Sequence, residues 1–516
     1  LDRLTRYWKS SIEFWVWAIV FGLAFTQDPI YAENQNTKFL IGLAHSGLGY
    51  LREDWLANTI DPLPVFTWIV QISYKLLGEY GFYLYPFLAF GVYIYSLCGI
   101  ADCIFKIRRS TAQFLTFLAI LIAIHITNIR IFDLIPYLPL HEGLADQYVL
   151  GHYFQPSMFG VLILLSIYDT LRNRSTRAVI NLAIASTLHP AYLPSQAMLT
   201  LAYLITMVQG RMAWRTIVRI GTLSVVLALP VFLYMTLTFA PTTPELWQRS
   251  QEIIVNFRIP HHSIPSLWLA NPAAWVQIGM MVVATVLVLK TRLAWIMGLP
   301  LGLAAIATVV EIVSSNATVA FTAPWRVSAF LMPLALALIV AAAIRPLFRW
   351  LSNHRPQLLQ PIQFGAITIL AITVFLGINT QIAKFQAPDT TLGMMNFVRE
   401  QAQSGEVYLV PLSASKDDNR MEEMWKFRLY TGVPILVNFK SHPYKDVEVI
   451  EWYERVESAV KFYETPPSDR CTALDGLLDR YSITHVVAPN RRPWMECGRV
   501  NVIYEDANYA VYKILD

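Results

Sequence analysis

The chain has 516 residues, of which 55% are hydrophobic and only 15% charged, whereas soluble proteins carry charges at roughly a quarter of their positions. Forty Lys and Arg against 36 Asp and Glu leave a net charge of +4, too small an excess for a nucleic-acid footprint. Four cysteines cannot staple a chain of this length. A water-soluble enzyme, a nucleic-acid binder and a disulfide scaffold are excluded, which leaves a polytopic membrane protein.

At the start, Arg3, Arg6 and Lys9 precede an apolar run from Ile12 to Phe25. The basic flank places the N-terminus in the cytoplasm, and without a small-residue cleavage site the run reads as a first span rather than a removable signal. The outer loop 26–82 follows, long enough to be functional. Within it the apolar stretch Val65 to Leu77 is thirteen residues, too short for an ordinary span, so it is expected to lie along the outer surface. With Tyr83 to Phe105 as the second span, Lys106, Arg108 and Arg109 fall inside, as the positive-inside rule prefers.

The same test gives spans near 112–128, 157–171, 178–189, 191–208, 217–239, 273–289, 293–313, 326–344 and 363–383, eleven in all. Each basic cluster between them then becomes cytoplasmic, and the odd count puts the tail outside. Spans 178–189 and 191–208 meet at His189-Pro190, where proline interrupts the helical hydrogen bonds, so they are expected to form a bent pair.

The fold class is therefore mainly α: a transmembrane helical bundle over 1–384, with an extracytoplasmic α/β domain over 385–516. The tail predicts helices near 390–403, 447–463 and 472–481, and strands at 407–411, 435–439 and 485–488. A hairpin of 500–504 with 509–514 closes it, in a mostly parallel sheet. Cys471 and Cys497 stand on the oxidising side, where a disulfide is open to them.

No Walker loop, paired CxxC, HExxH or GxSxG is present, so phosphate-driven pumping and familiar hydrolase chemistry lack their marks. The candidates lie in the outer loops. The first, "LAHSGLGYLREDWLANTIDPLPVFTW", carries His45, Glu53, Asp54 and Asp61. An acidic pair beside a membrane-hugging helix suits a divalent cation or a general base; it also suits a solvated turn, with Asp61 before Pro62 starting the next helix.

The second loop, "LPLHEGLADQYVLGHYFQPS", supplies His141, Glu142, Asp146 and His152. Loop 240–272 contains "NFRIPHHSIPSLW", in which Arg258, His261 and His262 could hold a metal, a proton or an anion, although neighbouring histidines rarely serve one ion from a regular helix. Arg326 in "APWRVSAFLMPLALALI" offers a bidentate fork to phosphate, or snorkels to the headgroups beside Trp325. Asp102, Asp169 and His125 sit near span ends, with no midplane series of the kind an ion pathway needs.

The acidic first loop followed by "DPLPVFTWIVQISYKLLGEYGFYLYPFLAFGVYIYSLCGIADCIFKIRR" resembles the layout of the GT-C membrane glycosyltransferases, the group of the oligosaccharyltransferases, protein O-mannosyltransferases and aminoarabinose transferases. The shared features are the Pro-rich step at Asp61-Pro62, the turn at Gly78 and the closure by Arg108-Arg109. The resemblance implies an inverting enzyme of a bacterial inner membrane. It would move a sugar from a polyprenyl-phosphate-linked donor to a glycan, lipid or protein acceptor at the extracytoplasmic face.

It further implies Asp54 as the base or a metal ligand, with Glu53 next, and Arg326 with Arg258 on the donor phosphate. Read from the residues themselves, His45, His141, Glu142, His152, His189, His261 and His262 are candidate metal or acceptor ligands, with Mg or Mn as the divalent cation where one is used. The rival readings are a transporter or flippase of a lipid-linked or anionic substrate and a non-catalytic scaffold. A transporter of that kind is expected to pair its broken helices across a repeat, and only the break at His189-Pro190 is visible.

Overall fold

The computed structural model describes residues 2–127, 129–131, 135–412, 423–490, 494, 495 and 497–515. Its chain separates into two compact units, one of residues 1–28, 83–236 and 259–385, the other of 29–82, 237–258 and 386–516.

The first unit is helical. Its helices are α1 (Asp2–Phe25), α2 (Leu84–Phe105), α3 (Thr111–Ile126), α4 (Val161–Leu171), α5 (Ser175–Leu188), α6 (Leu193–Gln209), α7 (Trp214–Thr238), α8 (Pro272–Leu287), α9 (Leu293–Ser314), α10 (Ser328–His354) and α11 (Leu359–Gln386). Each predicted span falls on one of them. Among the described residues six helical stretches are long and apolar enough to cross a membrane, while Ser11–Phe25, α3, Pro156–Leu171 and α8 are apolar but shorter. Large hydrophobics point outward from α9 and α11, with Val313 81% and Phe364 73% exposed. Apolar faces of that extent are stable against lipid, not water, and the protein is membrane-associated.

Helix α10 is the centre of this unit. Every residue from Ser328 to Leu338 is buried, and the helix packs against α2, α3, α4 and α8. Small residues allow the closest helix contacts: a Cβ on Gly377 of α11 would meet the Leu23 carbonyl of α1, and one on Gly99 of α2 would enter the Tyr168 ring of α4. The predicted break is present. His189 is extended, Pro190–Tyr192 forms a single tight turn, and α6 starts afresh, because Pro190 has no N–H to continue the α5 ladder.

In the second unit the surface stretch becomes the helix Pro64–Leu77, opened by Pro64 and stopped at Gly78 with φ +64°. The tail forms helices Leu392–Gln401, Asp446–Glu464 and Arg470–Leu478. Its sheet consists of β1 (Tyr408–Leu409), β2 (His485–Pro489), β3 (Val500–Glu505) and β4 (Tyr509–Ile514), in the order β1-β2-β4-β3.

Two expectations change here. The β1–β2 pair is parallel but β2–β4 and β3–β4 are antiparallel, because the closing hairpin inserts its second strand beside β2. The stretch expected as strand 435–439 contributes only one parallel bridge, from Ile435 to Tyr408. Cys471 and Cys497 are disulfide-bonded.

The first outer loop and residues 237–258 pack with the tail, so the tail is not a unit by itself. Gly49 (φ +48°) lies against Gly432 (φ +74°) with no room for a Cβ at position 49, and the Tyr50 amide donates to the Gly432 carbonyl at 2.7 Å. Phe257 is wedged among Phe439, Trp452 and Tyr453.

Candidate functional site

In the helical unit, the second outer loop is pinned to the first turn of α10. The Leu144 amide donates to Ser328 Oγ at 2.8 Å, and Gly143 packs on Ser328 with no space for a side chain. Gln277 of α8 holds the same loop, donating from Nε2 to the carbonyls of Pro139 (3.2 Å) and Glu142 (3.0 Å). The turn Pro324–Val327, entered through Ala323 at φ +45°, leads into α10 and carries Arg326, whose Nη1 lies 3.3 Å from His189 Nε2 at the α5–α6 break. Its neighbour Trp325 meets Trp268 edge-on at 5.7 Å.

Trp268 lines a pocket of about 180 Å³ together with Tyr137, Asp146, His261, Asn271 and Gln277. At its rim the ligand atoms of Asp146, His261 and His262 all lie within 4.8 Å of one another. Ala145 and Asp146 are both left-handed, at φ +55° and +53°, conformations that cost a non-glycine residue on the order of 1–3 kcal/mol and concentrate at functional sites. Thr26 and Ala323, at φ +69° and +45°, are two more in the same unit.

Histidines surround the end of α1. His152 stacks on Phe25 at 4.3 Å, and His141 stacks on His125 at 4.7 Å. Burial holds the His141 imidazole well below its ordinary range, with His125 and His152 adding to the effect. Burial, and then the charge of Asp146, push the Glu142 carboxyl up to about 7; it lies 3.7 Å from His141. Asp28, just past α1, pairs with Lys384 of α11 at 2.7 Å, and its amide donates to the His152 carbonyl. Sequence reasoning missed the Asp28–Lys384 pair, for which the only local sign is a carboxylate directly after a span.

The carboxylates expected to be catalytic are in the other unit. Asp54 is fully buried, with Oδ2 3.1 Å from Arg428 Nε. Its Oδ1 accepts from the Leu56 and Ala57 amides (2.9 and 3.3 Å) and its Oδ2 from the Ile435 amide (3.0 Å). Three amide donors and a buried guanidinium charge surround the carboxylate, which is the geometry of a buttress between the first loop and the tail. Glu53 is exposed and accepts from Ser404 Oγ and the Gly405 amide, bonds that hold its carboxyl below the usual range.

Arg258 is also committed. Its Nε and Nη2 donate to the Lys440 carbonyl, and burial lowers it to about 10. His45 is exposed on the short helix Leu40–Ser46. Asp61 accepts from the Leu63 amide at 2.8 Å, starting a turn, and burial raises its carboxyl.

The predicted residues thus divide. Arg326, His141, Glu142, His152, His189, His261 and His262 belong to the helical unit, and Asp54, Glu53, Arg258 and His45 to the other.

Fold and site together define a mainly helical, membrane-associated protein with a small mixed sheet and polar loop clusters in its helical unit. Residues 389–459 match a family described as a domain of unknown function, DUF6798. No curated protein matches the chain.

Proposed function

We propose that the protein is a membrane glycosyltransferase of GT-C architecture, moving a sugar from a polyprenyl-phosphate donor to an acceptor at the extracytoplasmic face. The observation that carries this reading is the loop cluster of the helical unit. A guanidinium in the turn just before the central helix, Arg326 beside His189, shares that helix start with a loop bearing Glu142 and Asp146. A helix N-terminus and a guanidinium both favour a phosphate, and would stabilise the charge that builds on the lipid phosphate as the sugar leaves.

Glu142 replaces Asp54 as the proposed base. A carboxyl whose proton affinity sits near neutrality is suited to take the acceptor's proton, whereas Asp54 is held by Arg428 and three amides. Arg258, donating to the Lys440 carbonyl, is not given a donor-binding role.

The test uses the full chain in proteoliposomes with undecaprenyl-phosphate-linked radiolabelled glucose and membrane-extract acceptors. The expected result is label transfer that falls at least about 100-fold in Glu142→Gln and Arg326→Ala, the scale of losing a general base or one charge-stabilising donor. Wild-type transfer should rise as pH passes through about 7, and only Arg326→Ala should lose undecaprenyl-phosphate binding in native mass spectrometry. A wild-type chain that binds no undecaprenyl phosphate, or that translocates the lipid without transferring label, overturns the reading.

A further inference from the structure

We infer that Asp146, His261 and His262 form a binding site for a divalent transition-metal ion of the Zn²⁺ class, opening into the pocket at Trp268. The ligand atoms of the three residues are already within 4.8 Å of one another, so a single ion could be reached by all of them with side-chain adjustment. Neighbouring histidines on a regular helix diverge by about 100°. Here Pro260 opens a helix of one turn that ends at Ser263, and the two rings stand 3.9 Å apart between centroids.

His262 Nδ1 lies 2.5 Å from the Ala145 carbonyl. A ring that donates there carries its lone pair on Nε2, the arrangement that orients metal-ligating histidines in general. The carbonyl belongs to the residue before Asp146, so one strained segment supplies both a ligand and the orienting contact.

Two imidazoles and one carboxylate suit Zn²⁺, Fe²⁺ or Mn²⁺, whereas Mg²⁺ prefers oxygen ligands and water. Three protein ligands with the pocket in front leave coordination positions for water or a phosphate oxygen. That the ion would grip the donor phosphate rests on the transferase reading; that it binds does not.

The experiment is isothermal titration of the EDTA-stripped full chain in detergent with ZnCl₂, alongside MgCl₂. One equivalent of Zn²⁺ is expected, weakened on the order of 100-fold or more in Asp146→Ala and His262→Ala, since losing even a group that only orients a metal ligand costs about 10–100-fold. Zn²⁺ should raise the Tm of the wild type and of His45→Ala, and leave that of His261→Ala/His262→Ala unchanged. Should the alanine variants fold poorly, Asp146→Asn, which keeps the shape of the side chain, replaces them in both measurements. The inference fails if the wild type binds no Zn²⁺, if the variants bind it equally well, or if Mg²⁺ binds as tightly. Zn²⁺ binding without sugar transfer would leave the site standing and remove only the transferase.

Discussion

At the scale of single residues, Asp54 and Arg428 show how the same side chain changes meaning with its partner. In the sequence Asp54 is an acid in an outer loop; in the fold its carboxylate is 0% exposed and faces a guanidinium that is 3% exposed. Taking both charges out of water is costly, and removing one partner leaves the other uncompensated, at a cost of about 3–5 kcal/mol. Asp54→Asn and Arg428→Met should therefore each lower the thermal unfolding temperature of the purified chain. The double variant should lose less than the two singles combined, because contacting residues are not additive. An Asp54→Asn protein with unchanged unfolding temperature and no transfer activity would instead restore Asp54 as the base. Nothing local to position 54 announces Arg428, and only the tertiary fold brings them together. Glu142 is the reverse case: the sequence shows an acid beside His141, and burial supplies the raised proton affinity.

At the scale of elements, the helices were legible because lipid selects for long apolar runs, and their ends because Pro, Gly and basic residues punctuate them. The surface helix Pro64–Leu77 and the break at His189-Pro190 follow from length and from proline chemistry. The pairing of elements was not legible. Gly377 is one of several glycines in apolar helices, and its missing Cβ is what lets α11 lie against the backbone of α1 at Leu23 and Ala24. Gly377→Ala should destabilise the chain by about 1–3 kcal/mol, the usual penalty of overpacking a tight contact. Gly365→Ala in the same helix, where a Cβ meets nothing within 4 Å, should be neutral or slightly stabilising. Equal unfolding temperatures for the two variants would show that the α1–α11 contact does not carry weight. The sheet is mixed rather than mostly parallel for a related reason: a hairpin's strands are adjacent in sequence, but which of them borders β2 depends on the faces each presents to the core of Met394, Val398 and Phe427.

At the scale of the whole molecule, the eleven-span reading makes a claim about sides. Basic clusters at 172–177, 211–219 and 345–355 are expected in the cytoplasm and the tail outside. In intact cells a membrane-impermeant maleimide should label Gln403→Cys and leave Asn353→Cys unlabelled until the membrane is opened. Labelling of both in intact cells, or of Asn353→Cys alone, would refute that arrangement. The native thiols interfere little, since Cys98 is buried and Cys103 only half-buried.

Composition and periodicity alone determined that this is a membrane-type helical chain, where its helices run, and which loops carry ionisable groups. Those properties are one-dimensional, because each helix meets lipid through its own residues and each basic loop responds to the membrane by its own charge. Tertiary structure decided that Asp54 and Arg258 are internal struts and that the first outer loop packs with the tail. It likewise decided that Asp146 meets His261 and His262. Each of these depends on partners distant in the chain, and burial, which sets whether a charge is a strut or a reagent, exists only once those partners have closed around it.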